Sequence, residues 1–178
     1  MPPSGVLLIE DETTLRLLPP LRAAWALQGS QAEVPISGYN AQRVLFGAVN
    51  PRTGHRIVLR RHRARQEDFC AFLEELRRRY HARPIWLLLD RAPCHVGKKS
   101  LQLAGRLEIT LLWLPKQCPE LNAMDHLWRS LKGELAANRQ FPTIDLLAEH
   151  AEAWIHSLSP TQTLCKAGLL SPNCWLKF

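Results

Sequence analysis

No apolar run in the sequence approaches the roughly 18 residues that a bilayer span requires. The N-terminus also lacks a basic region followed by an apolar core, so a soluble, unexported protein is expected. Cysteine is sparse: five residues, an odd number with no CxxC pair, which argues against a disulfide framework or a zinc ribbon and makes a reducing cytosol the simplest compartment. No internal repeat or low-complexity segment is present. Acidic residues are in deficit, 16 against 23 Lys and Arg, and a pI near 9.5 suits a polyanionic partner such as nucleic acid. At 178 residues and 46% hydrophobic content, one substantial core, hence a single domain over 1–178, is expected.

What the chain does have is concentrated between Pro84 and Lys132. Ile85 to Leu89 is an unbroken apolar run of strand length that stops at Asp90. It reads as a buried parallel strand delivering a carboxylate to its C-terminal end, where open α/β sheets place their sites. Ile109 to Leu114 repeats the pattern and stops at Pro115. After that loop Asn122 can cap a helix with Leu127, Trp128, Leu131 and Leu135 on one face and Asp125 in its first turn.

Elsewhere, Val6 to Ile9 is a short apolar run ending in Glu10-Asp11-Glu12. The stretch from Thr13 to Asn40, broken by Pro19, Pro20, Gly29, Pro35 and Gly38, reads as loop with a short strand near Trp25. Arg43 to Val49 and Arg56 to Arg60 flank a strong turn signal, Asn50 to Gly54, and form a hairpin. Helices are expected over Gln66–Tyr80, around Lys98–Ala104 and over Thr143–Leu158. Right-handed crossovers then give an α/β fold with a mixed five-stranded sheet in the order 3-2-1-4-5. Strands 1 and 4 become parallel neighbours, so Asp11 and Asp90 meet at one edge.

Three carboxylates converging from separate elements repel unless a cation lies between them, and hard divalent ions accept oxygen ligands. Two such ions about 4 Å apart activate water and stabilise a leaving oxygen in phosphodiester cleavage. Asp11, Asp90 and Asp125 are the candidate ligands. A solvated acidic cluster for Asp11 and a capping role for Asp125 are the competing readings. Cys94 and His95 with Cys118 and His126 match no zinc-module spacing. Arg60, Arg61, Arg63, Arg65 and Arg77 to Arg79 are candidate phosphate contacts. Trp25, Trp113 and Trp128 read as core rather than base-stacking residues.

The segments LLIEDE, LLLDRAPCH and LPKQCPELNAMDHLWRSLK resemble the three acidic motifs of bacterial insertion-sequence transposases in the mariner superfamily. GAVNPRTG and AGLLSPNCW extend the resemblance over nearly the whole chain. It implies a ribonuclease H-like fold and metal-dependent DNA strand cleavage and strand transfer by two Mg²⁺ or Mn²⁺ ions on Asp11, Asp90 and Asp125. It further implies that His95 contacts phosphate or orients a ligand, simple packing being the competing reading; Lys116 is a further candidate nucleic-acid contact. Partners implied are inverted-repeat ends and target DNA, a second copy on that DNA, and a separate or frameshift-fused helix-turn-helix module upstream, in a bacterial cytoplasm near the nucleoid. The chain departs from the family pattern at Arg91, where Asn is common, at Ala123, where Pro is common, and in having Asp as the third acid, where many members have Glu. A ribonuclease H or junction-resolving nuclease, or a decayed transposase that only binds DNA, are the alternatives.

Overall fold

The computed structural model describes residues 4–176. Strands β1 (Val6–Arg16), β2 (Gln42–Val49), β3 (Arg56–Arg61), β4 (Ile85–Leu89) and β5 (Ile109–Trp113) form one sheet in the order β3-β2-β1-β4-β5. The arrangement expected from the crossovers is the one found: β1 pairs antiparallel with β2 and parallel with β4, and β4 parallel with β5.

Helices α1 (Gln66–Arg79), α2 (Pro93–Val96) and α3 (Lys98–Arg106) lie in the β3–β4 and β4–β5 connections. Together α1 and α3 cover one sheet face, whose core includes Leu8, Phe46, Phe69, Phe72, Leu73 and Leu87. Helices α4 (Ala123–Leu131) and α5 (Ile144–Ser157) cover the other, packing Met124, Leu127, Trp128, Ala148 and Ala151 against Ile9, Leu45 and Val49. The short α6 (Pro160–Lys166), unforeseen from sequence, is held by a capping box between Ser159 and Gln162.

Three features differ from the sequence expectation. β1 does not stop at its acids but continues to Arg16, paired with β2 over eight positions from Ile9↔Val49 to Arg16↔Gln42. Residues 17–41 hold no strand, and Trp25 is fully solvent-exposed at 103% rather than core. The segment is tethered by polar bonds, Arg22 N–H to Asn138 Oδ1 at 2.8 Å and Gln140 Nε2 to Ser37 Oγ at 2.8 Å.

Arginines tie the layers together. The Arg77 guanidinium donates to the carbonyls of Leu107, Tyr80, Arg83 and Glu108, closing the ends of α1 and α3. Arg56 does the same at the C-terminus of α5, donating to Ile155, His156 and Leu158. Arg78 and Arg79 share the Glu75 carboxylate. Three expected phosphate contacts are thus engaged within the fold, Arg77 most completely.

Candidate active site

The site forms where β1 outruns β4. Their parallel register, Val6↔Ile85 to Ile9↔Leu88, ends just before Asp90, so continuing it by two positions sets Asp11 beside Asp90. Strand neighbours lie about 4.8 Å apart. The third acid arrives from the opposite layer. Asn122, 4% exposed, accepts a hydrogen bond from Met124 N–H through Oδ1 at 3.0 Å and donates from Nδ2 to the Glu10 carbonyl at 3.0 Å. One side chain therefore caps α4 and fastens its first turn, with Asp125, onto β1.

Close approach of α4 depends on Gly47, the β2 partner of Asp11. A Cβ there would stand 2.5 Å from Trp128 Cζ2 and 2.6 Å from Met124 Cε. The resulting open cleft of about 470 Å³ is lined by Asp11, Asp90 and Asp125 together with Arg91, Lys116 and Asn122.

The acids are unequal. Burial, with Glu12, Asp125 and Asp90 nearby, pushes the Asp11 carboxyl up to about 8. The hydrogen bond from His95 holds Asp90 below the usual carboxylate range, against its partial burial, and Ala92 N–H adds a 2.8 Å bond. Asp125 pairs with Arg129 one turn on along α4. Lys132, two turns on from Asp125, is half-buried; burial lowers its pKa while Asp125 and Asp11 favour its charge.

An oxygen-only donor set short of positive charge fits a hard divalent cation. The convergence of Asp11, Asp90 and Asp125 on one cleft is the observation that carries this fit.

The other predicted residues sort by position. Lys116 lies in the cleft, and no ion pair of its side chain is formed among the described residues. Arg60 and Arg61 sit at the same end of the sheet, but Arg60 is drawn to Glu149 and Glu152 at 3.9 and 3.7 Å, and Arg61 to Asp68 at 3.8 Å. Arg63 and the Arg65 side chain extend from the exposed loop that follows. His95 is corrected as a nucleic-acid contact: at 0% exposure it lies beneath Asp90, its Nδ1 3.0 Å from Asp90 Oδ1. Trp128 is buried as expected, whereas Trp113 is half-buried with the Arg91 guanidinium 5.4 Å from its ring centroid.

Sequence reasoning missed Glu10 and Glu12. Alternation along β1 turns them away from Asp11, toward His95 Nε2, which is 3.4 Å from a carboxylate oxygen of each. Burial raises Glu10 well above the usual carboxylate range, partly countered by His95. The available signal was the β-forming run Thr13-Thr14-Leu15, which carries a two-residue period through the acids.

A mixed sheet in this order, flanked by helices on both faces, is a ribonuclease H-like fold. Residues 6–148 match the DDE superfamily endonuclease family, and the chain belongs to it. The insertion element IS630 uncharacterized 39 kDa protein of Shigella sonnei is 26% identical over 153 residues, 85% of this chain and 45% of that protein. The uncharacterized protein y4pE/y4sA of Sinorhizobium fredii (strain NBRC 101917 / NGR234) is 34% identical over 115 residues, 62% of this chain and 81% of that protein. The mariner Mos1 paired end complex with Mg shares the fold with a TM-score of 0.72 at 17% identity, over 92% of this chain and 52% of that one. The catalytic domain of Mos1 mariner transposase superposes with a TM-score of 0.64 at 13% identity, over 93% and 77%. The chain thus spans about half the length of the Shigella relative and of the Mos1 chain in its DNA complex. Among the described residues no helix is long and apolar enough to cross a membrane.

Proposed function

We propose that the chain is the catalytic domain of an insertion-sequence transposase that cleaves DNA at the element's ends and transfers the freed strand to target DNA. The observation that carries this reading is the convergence of Asp11, Asp90 and Asp125 from two strands and a facing helix on one open cleft. In it, Asp11, Asp90 and Asp125 would hold two Mg²⁺ or Mn²⁺ ions. Such ions, when bound, stabilise charge on the phosphate and activate the attacking oxygen.

The chain's own residues prepare that site. His95 donates from Nδ1 to Asp90 and sets the carboxylate's direction. Asn122 fastens the first turn of α4, which carries Asp125, to β1, and Arg129 pairs with Asp125. Lys116 and Arg91 receive the DNA backbone at the rim. Support for divalent ions and for DNA comes from the relatives, since Mos1 complexes were solved with Mg, with Mn and with a transposon end. In the finer reading, ends are found by a helix-turn-helix module outside these residues, and two copies assemble on DNA.

The test is cleavage of a duplex carrying the element's inverted repeats, compared with an RNA–DNA hybrid, by the parent and by Asp90→Asn. Mg²⁺-dependent nicking of the duplex by the parent alone is expected. Hybrid cleavage without duplex cleavage would replace the reading by a ribonuclease H, and binding without cleavage of either by a decayed transposase.

A further inference from the structure

The cleft uses one face of β1. On the other face, beneath α2, Glu10 is fully buried with neither carboxylate oxygen hydrogen-bonded, and Glu12 Oε2 and His95 Nε2 are likewise buried without a hydrogen-bond partner. His95 Nε2 stands 3.4 Å from Glu10 Oε2 and 3.4 Å from Glu12 Oε2, and Cys94 Sγ stands 3.8 Å from Glu12 Oε1. Among the described residues, Glu12, Cys94 and His95 are the one group of three metal-ligating side chains whose ligand atoms all lie within 4.8 Å of one another. Buried, unpartnered acceptors around an imidazole nitrogen require a proton, on Nε2 or on a carboxylate, or a metal ion.

The distances choose between them. A charged N–H···O bond closes to about 2.7–2.9 Å, and both contacts at Nε2 are longer. A tetrahedral ion with bonds of about 2.0–2.1 Å to N and O and about 2.3 Å to S keeps its ligand atoms roughly 3.3–3.6 Å apart. The two 3.4 Å spacings at Nε2 lie in that range, and the 3.8 Å spacing of Cys94 Sγ from the other Glu12 oxygen lies just outside it. The other ring nitrogen agrees: Nδ1 faces Asp90 Oδ1 at 3.0 Å, and a ligating histidine characteristically donates that N–H to a carboxylate, leaving its second nitrogen bare for the metal.

We propose that Cys94 Sγ, His95 Nε2 and the Glu12 carboxylate form a Zn²⁺ site on the sheet face opposite Asp11, with the Glu10 carboxylate, 3.4 Å from His95 Nε2, available to the fourth position. Sulfur and nitrogen donors select zinc over the hard Mg²⁺ or Mn²⁺ suited to the cleft. Binding releases the Cys94 thiol proton to solvent as the thiolate takes the metal. The ion joins β1 to α2 and locks His95, which makes His95 a positioning residue for Asp90. Cys118 and His126 take no part: Cys118 lies in the cleft loop, and His126 Nε2 meets the Glu120 carbonyl. The site's existence does not depend on the transposase reading, and metal uptake is measured without DNA.

The test uses the full chain, stripped with chelator and reconstituted with Co²⁺ alone. One equivalent should bind with a thiolate-to-cobalt charge-transfer band and tetrahedral d–d absorption, displaced by Zn²⁺ but not by excess Mg²⁺. Cys94→Ala should lose the band and Cys118→Ala should keep it. Glu12→Gln should keep the band and weaken Co²⁺ binding roughly tenfold or more. Absence of a thiolate band in the parent, or its persistence in Cys94→Ala, overturns the proposal. Should Cys94→Ala fail to fold, parental affinity in Glu12→Gln overturns it equally. Loss of DNA cleavage with an intact cobalt spectrum would count against the transposase reading only.

Discussion

Asp11 illustrates how one residue couples stability to metal and pH. Its carboxyl titrates near 8 in the fold, against roughly 4 in an unfolded chain. Below about pH 4 both states hold the proton, and between about 4 and 8 only the folded state does. Metal-free stability therefore declines as pH rises through that window, by up to about 1.4 kcal/mol per unit for one proton, and the loss is complete above 8. Asp11→Asn is expected to flatten the decline, giving a metal-free chain more stable than the parent at pH 8 by about 1 kcal/mol or more. Millimolar Mg²⁺ should raise the parent's Tm more at pH 8 than at pH 6, and should not do so in the variant. Thermal melts at the two pH values measure both effects. Asn122 carries the second prediction at this scale. Asn122→Ala removes a helix cap and a buried bond to the Glu10 carbonyl, and should cost about 2 kcal/mol in urea unfolding. Because Asp125 loses its tether, Mg²⁺-dependent cleavage should fall further than stability does.

Among the elements, α4 is the one whose seat determines the site. It crosses the sheet where Gly47 leaves no side chain, which brings Trp128 and Met124 down to the backbone and Asp125 down to Asp11. Gly47→Ala should lift the helix or force Trp128 from its place, costing about 1–3 kcal/mol by overpacking. A drop in denaturation midpoint with loss of divalent-ion affinity by calorimetry is the expected result, and parental affinity would show that α4 adapts without moving its acid. The extension of β1 is the other decisive element. Its residues past Ile9 pair with β2 alone, so the strand projects beyond β4 and offers both faces: Asp11 toward α4, Glu10 and Glu12 toward α2. This was only half legible. The apolar run of Val6 to Ile9 marked the strand, whereas buried acids break a hydrophobic alternation that periodicity would otherwise register. Residues 17–41 were hidden for the opposite reason: Trp25 and Leu27 look like strand residues in sequence, yet both stand exposed in a segment without a strand.

For the whole molecule, the basic balance of 23 against 16 overstates what DNA can meet. Arg43, Arg56, Arg60, Arg77, Arg78 and Arg79 are engaged with carboxylates or carbonyls of the fold itself. Binding of this chain to duplex DNA is expected to be weak, to collapse between about 50 and 200 mM salt, and to be equal for inverted-repeat and scrambled sequences. Fluorescence anisotropy across that salt range checks it, and a salt-resistant, repeat-specific complex would reveal a base-reading surface within these residues. Mg²⁺ or Mn²⁺ should support cleavage where Ca²⁺ binds without supporting it, because a looser, higher-coordinate shell positions the reacting groups poorly.

The amino-acid order alone determined the strand order, the two parallel strands and the capped helix, and with them the approach of Asp11 to Asp90. Each of those follows from local signals: an apolar run ending in an acid, an Asn before an amphipathic helix, a crossover of fixed hand. Which arginines remain for DNA, where His95 points, and how Glu10 and Glu12 come to share it with Cys94 were decided only in three dimensions. Those partnerships join residues far apart in sequence, up to 102 positions for Arg43 and Asp145 and 82 for Cys94 and Glu12, and no periodicity of one segment encodes what faces it from another.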